Sequence, residues 1–117
     1  MKGKLFLSVF VLALISSLVI YAQEKSIKDL EIKVFGNCNM CKNRIEGVLK
    51  IKEVKIAKWD KKSKMLRLAF DEKKITLDSL QKRIAAVGHD TEKFKAPDDV
   101  YKKLPACCLY RDNPNTH

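Results

Sequence analysis

Gly36-Asn37-Cys38-Asn39-Met40-Cys41-Lys42-Asn43-Arg44-Ile45 is where the chain changes its period. Ahead of it, Leu30-Glu31-Ile32-Lys33-Val34-Phe35 alternates apolar and polar residues, as a strand with one buried face does. Behind it, Cys41, Ile45, Val48 and Leu49 fall at i, i+4, i+7 and i+8, the stripe of an amphipathic helix ending near Lys50. Gly36 punctuates the strand, so Cys38 and Cys41 sit at a strand-to-helix loop with Cys41 in the first helical turn. Unpaired backbone N–H groups and the positive end of the helix dipole favour a thiolate there. A thiolate binds soft metals and attacks disulfides, so two chemistries compete for this pair.

Working outward, Val54 and Ile56 alternate with Lys55 and Ala57, Asp60-Lys61-Lys62-Ser63 makes a polar turn, and Leu66, Leu68 and Phe70 alternate with Arg67 and Ala69. That pattern predicts a β-hairpin. Thr76 is placed to cap a second helix carrying Leu77, Leu80, Ile84 and Val87, and Gly88 stands where its C-cap belongs. His89 to Phe94 is expected to form a short closing strand. The order β-α-β-β-α-β over residues 28–95 predicts an α+β, ferredoxin-like fold, a four-stranded antiparallel sheet with two helices on one face. Its first loop, with Cys38 and Cys41, is expected to be accessible. Trp59, at the end of the second strand, reads as a partly buried anchor beside the hairpin turn.

The ends divide cleanly. Lys2 and Lys4 precede an apolar run from Leu5 to Tyr21, then Ala22 and polar Gln23-Glu24-Lys25, the layout of a secretory signal peptide at residues 1–22. The run approaches the ~17–25 residues that span a bilayer, so an uncleaved anchor is the alternative. Either way the remainder is expected to be exported, periplasmic or extracellular. Removing Lys2 and Lys4 takes the net charge from +10 to +8, a basic surface suited to an acidic protein partner. Residues 96–117 form a tail in which Asp98 to Leu104 has room for a turn or two of helix, Cys107 and Cys108 follow, and Arg111 to His117 is expected to be loose.

Four cysteines in a small exported domain suggest two disulfides as one reading. A Cys107–Cys108 bond would be strained, because neighbouring Cα atoms lie ~3.8 Å apart and disulfides prefer ~4.4–6.8 Å. A second reading is a thiol–disulfide oxidoreductase using Cys38 and Cys41. The element order disagrees with it, since the hairpin follows the first helix directly and Pro97 lies beyond the last expected strand.

Strand, Gly-x-Cys-x-x-Cys, amphipathic helix, lysine-rich hairpin and a second helix ending in Val87-Gly88-His89-Asp90 together resemble the heavy-metal-associated domain family. That family comprises copper chaperones, the N-terminal modules of metal-transporting ATPases and the periplasmic mercury-binding protein, and the resemblance covers residues 30–95. It implies that Cys38 and Cys41 are metal ligands and that the ion passes by ligand exchange to a metal-transporting or metal-accepting partner. Two positions depart from the family pattern. Asn37 stands where a methionine is common, with Met40 nearby, and His89 stands where a tyrosine or lysine is usual. In this fold the His89 loop lies beside the metal loop, which leaves three roles open: third ligand, proton-dependent tuner, or ordinary loop histidine.

Two thiolates with few other donors suit Cu(I) first and Hg(II) by the same softness, whereas Zn(II) seeks four ligands. If the tail folds back, Cys107 and Cys108 raise the count to four thiolates and favour Zn(II), Cd(II) or a closed Cu(I) site. An oxidised tail pair unrelated to metal is the alternative. Asp71-Glu72 and Asp98-Asp99 read as solvating charges, and no Ser/His/Asp set or glycine-rich phosphate loop is present, so no enzyme is expected. Nucleic acid is excluded by export and by the sheet face: Glu31, Lys33, Phe35, Met65, Arg67 and Ala69 offer a single aromatic where RNA-recognition domains stack several.

Overall fold

The computed structural model describes residues 26–117; the expected signal peptide or anchor at residues 1–22 lies outside them. The elements are β1 (Ile27–Lys33), α1 (Asn39–Val48), β2 (Val54–Trp59), β3 (Met65–Asp71), α2 (Leu77–Ala86), α3 (Asp98–Lys102) and a 3-10 turn at Ala106–Cys108. The strands form one antiparallel sheet in the order β1-β3-β2. Ile32 lies opposite Leu66 and Leu30 opposite Leu68, while Trp59 and Ala57 flank the same two leucines from β2. These cross-strand pairs put one apolar face inward. Cys41 and Ile45 of α1 and Leu80 and Ile84 of α2 join that face in a single core, so both helices cover the same side. No helix among the described residues is long and apolar enough to cross a membrane.

The helices end where the residues demand. Thr76 Oγ1 accepts a hydrogen bond from Ser79 N at 3.1 Å, satisfying a free donor of α2. At the other end Gly88 takes φ +108°, which a side chain would strain. Its N–H donates to Ala85 O at 3.0 Å and His89 N–H to Ile84 O at 3.3 Å, the paired bonds of a Schellman cap.

Two expectations fail locally. β2 shifts register between Val54, opposite Phe70, and Ile56, opposite Ala69. This bulge reverses the inside–outside phase, so Ile56 is 37% exposed and Trp59 is 1% exposed. Trp59 is thus fully rather than partly buried. The sheet also has three strands, not the four expected. Residues after α2 reach the open edge of β1, but only Val34 and Thr91 form a bridge. Thr91 then turns back on itself, its N–H donating to Phe94 O at 2.8 Å and its hydroxyl to Gln81 Oε1 at 2.9 Å. Around that bridge Phe35 N–H donates to Asp90 O at 2.9 Å and Glu92 N–H to Lys33 O at 3.2 Å, and the turn closed by Thr91 and Phe94 ends the ladder there.

Candidate metal centre

The loop between β1 and α1 is held by close packing. A Cβ on Gly36 would stand 3.0 Å from both Cys41 Cβ and the Trp59 ring, so glycine permits the close approach of these two groups. Trp59 Nε1 donates to Val34 O at 2.9 Å, and Glu46 of α1 accepts from Trp59 N at 2.9 Å. Strand end, loop and first helical turn are thereby fixed to the end of β2. Cys38 occupies the N-cap position of α1 in extended backbone, and Cys41 follows on the buried stripe.

The tail completes the site, and this reverses the expectation of an accessible loop and a loose C-terminal end. Leu104 packs on Gly88. Tyr110 stacks on His89 with centroids 5.3 Å apart, donates its hydroxyl to Gly88 O at 2.7 Å and accepts from Asp90 N at 2.8 Å. Arg111 forks onto Asp90 at 2.7 and 3.0 Å, reaches Asp98 at 2.9 Å and lies 4.2 Å from the Tyr101 ring centroid. Further on, Asn37 Nδ2 donates to Asn113 O at 2.9 Å, and His117 N donates to Asn37 O at 2.9 Å. Anchored on both sides, the 3-10 turn sets Cys108 over the loop.

Cys38 Sγ lies 3.4 Å from Cys41 Sγ and 3.5 Å from Cys108 Sγ, and all three sulfurs fall within 4.8 Å of one another. Their exposures are 5%, 0% and 0% for Cys38, Cys41 and Cys108. At a metal–sulfur distance of about 2.3 Å, a linear two-coordinate ion holds its sulfurs about 4.6 Å apart and a planar three-coordinate ion about 4.0 Å. The compact trio suits the second geometry. The donor set fits a soft ion: three sulfurs, with one neutral amide oxygen, Asn37 Oδ1, accepting from Cys41 Sγ at 3.3 Å.

The two loop thiols titrate in opposite directions. Burial opposes the Cys38 thiolate, but the Cys41 N–H, the Cys41 and Cys108 thiols and the Met40 N–H outweigh it and bring Cys38 down to about 7. Cys41 is pushed up to about 12, by burial first and then by the neighbouring Cys38 and Cys108 sulfurs. Cys38 is therefore the first to offer a thiolate.

The structure brings Cys38, Cys41 and Cys108 together and leaves His89 and Cys107 outside the trio. His89 is fully buried; its Nδ1–H donates to Phe35 O at 2.8 Å and its Nε2 accepts from Arg44 Nη1 at 3.2 Å. Burial first, and the Arg44 charge, lower its pKa to about 4, so it is neutral at pH 7 with both ring nitrogens engaged. Cys107 is exposed and turns to Met40, Sγ to Sδ 3.4 Å. Sequence reasoning missed the parts of Asn37, Tyr110 and Arg111. Asn37 carried a signal, standing where a methionine is common; the other two belong to no periodic pattern.

The sequence matches no protein-family model and no curated protein. Solved structures do match. One is the "CopZ metallochaperone", at 20% identity and TM-score 0.51 over 55% of this chain and 98% of that one. Another is the "Solution structure of the putative copper-ion-binding protein from Bacillus anthracis str. Ames", at 25% identity and TM-score 0.53 over 56% of this chain and 96% of that one. Nearly the whole of each neighbour is matched by a little over half of this chain. With three strands, two covering helices and a cysteine cluster at the loop before α1, the protein has the heavy-metal-associated type of fold.

Proposed function

We propose that this chain is an exported, non-enzymatic carrier of a soft metal ion, Cu(I) first, which it holds through Cys38, Cys41 and Cys108 and passes on by ligand exchange. The observation that carries the reading is the convergence of three buried sulfurs on a fold shared with copper-handling neighbours. Three clustered thiolates with no fourth donor among them favour Cu(I), and Hg(II) by the same softness, over Zn(II) or Cd(II) with four ligands. Export rests on the signal-like residues 1–22. The receiving partner is a metal-transporting or metal-accepting protein with an acidic face, because Lys42, Lys58, Lys61, Lys62 and Arg67 outnumber Glu31 and Asp60 around one groove beside the hairpin and α1.

One observation favours a dithiol oxidoreductase instead: Cys38 is low and Cys41 high in pKa. Against it, both residues are buried, Cys38 at 5% and Cys41 at 0% exposure, whereas a protein disulfide would have to be attacked at the surface. Anaerobic competition for Cu(I) against a chelator decides between them. One ion per chain, lost in Cys38→Ser/Cys41→Ser, with no reduction of a model disulfide by the same sample, is the expected result. Turnover of the disulfide with no retained copper would refute the carrier.

A further inference from the structure

The inner trio is buried, with 5% exposure left at Cys38 and none at Cys41 or Cys108, and the clasped tail covers it. Yet the sulfurs do not stop there. From the surface inward, Met40 Sδ lies 3.4 Å from Cys107 Sγ, Cys107 Sγ 3.8 Å from Cys108 Sγ, Cys108 Sγ 3.5 Å from Cys38 Sγ and Cys38 Sγ 3.4 Å from Cys41 Sγ. Met40 is 48% exposed and Cys107 is exposed, while Cys108 beside it is buried. The geometry points to Met40 and Cys107 as an outer two-sulfur port through which Cu(I) reaches and leaves the buried thiolates.

Three features support this assignment. The tail's 3-10 turn leaves one of two adjacent sulfurs exposed and buries the other 3.8 Å away, and their shared peptide bond disfavours joining them as a disulfide. Every gap in the series is no wider than the sulfur spacing around a single three-coordinate ion, about 4.0 Å. A cation therefore stays bonded throughout its passage. The pair on the surface is also softer and less binding than the trio: a thioether and one thiol capture the ion, and three thiolates retain it.

The exchange balances without electron transfer. Bonds to Met40 Sδ and Cys107 Sγ form as the donor's bond to Cu(I) breaks, and the Cys107 proton passes to water. The bond to Cys108 then forms as the Met40 bond breaks, and the Cys108 proton passes to water. Cys38 and Cys41 bind in turn, their protons go to water, and Cys107 is released and takes a proton back. Copper remains Cu(I) throughout, and unloading runs in reverse.

This inference rests on the trio being the resident Cu(I) site, and the experiment separates the two. Protein and a Met40→Leu/Cys107→Ser variant are reduced anaerobically and mixed with Cu(I) as its bicinchoninate complex; stopped-flow absorbance gives the rates of gain and loss, and the endpoint gives the partition. Both side chains are surface groups, so the variant keeps the wild-type circular dichroism. The expected result is one ion per chain in both proteins, an unchanged partition, and rates of gain and loss that each fall about tenfold or more, a barrier raised equally in both directions. Unchanged rates overturn the port and leave the trio standing. A weakened partition places Met40 and Cys107 in the resident site and also overturns it. A wild type that takes no Cu(I) removes the carrier reading and the port together.

Discussion

Replacing Arg111 with alanine tests whether the tail is a separately clasped element. The guanidinium and Asp90 meet at 2.7 Å with side-chain exposures of 21% and 18%, a largely buried pair. Asp98 and Ala96 O complete the arginine's set at 2.9 and 2.8 Å. Arg111→Ala leaves Asp90 half-desolvated with the Ala96 N–H as its remaining tail-side donor. Breaking such a pair costs about 3 kcal/mol, the lower end for buried pairs because water still reaches this one. At about 1.4 kcal/mol per decade, the open tail becomes about a hundredfold more populated. Iodoacetamide labelling of metal-free protein, read per cysteine by mass spectrometry, follows that opening. Cys108 and Cys38 should label about a hundredfold faster, while exposed Cys107 serves as the unchanged internal reference. Burial raises the Asp90 pKa, but Arg111 and the Ala96 N–H outweigh it and hold the carboxyl below its ordinary value. A depressed carboxyl contributes stability above the unfolded pKa of about 3.9 and loses it as pH falls through the folded one. Variant and wild type therefore converge in acid. Labelling of Cys108 at the wild-type rate would falsify the clasp; so would a loss of the whole fold in step with the tail.

Gly36→Ala should destabilise the protein by about 1–3 kcal/mol, because its Cβ meets Cys41 Cβ and the Trp59 ring at 3.0 Å and neither can swing away. Gly47→Ala, with nothing within 4 Å of its Cβ, should be neutral or gain up to about 1 kcal/mol from helix propensity. Urea midpoints followed by far-ultraviolet circular dichroism must separate the two in that order, and equal midpoints contradict the close approach. The buried His89, with its folded pKa lowered to about 4, should make stability fall as pH drops from ordinary histidine range toward that value. The unfolded chain takes up the proton first, so the loss at pH 5 is about 2 kcal/mol. His89→Gln should flatten that slope; a wild-type urea midpoint identical at pH 7 and pH 5 would count against the neutral, wedged histidine.

Local periodicity carried the two helices, the hairpin and the placement of Cys38 and Cys41, because each depends on neighbours a few residues away. Of the stripe read as Cys41, Ile45, Val48 and Leu49, Val48 is half-buried and the other three are buried. The bulge after Val54 was not legible, since one extra residue changes which side chains face inward without changing their kinds. The closing strand was read from a segment with one clear apolar residue, Phe94, and the Thr91–Phe94 turn ends the ladder after a single bridge. The tail was the largest miss. Cys108, Tyr110 and Arg111 act through single long-range contacts to Cys38, Gly88 and Asp90, and such contacts leave no repeat in the sequence. The paired cysteines raised the idea of a fold-back without showing that only one of them turns inward.

The lone tryptophan of the chain borders Gly36, where an added Cβ would stand 3.0 Å from both the indole and Cys41 Cβ. Indole emission is sensitive to sulfur and to heavy ions at contact range, and no second indole dilutes the signal. Occupancy of the sulfur trio is thus open to optical readout without any attached dye, from a side chain the fold already requires.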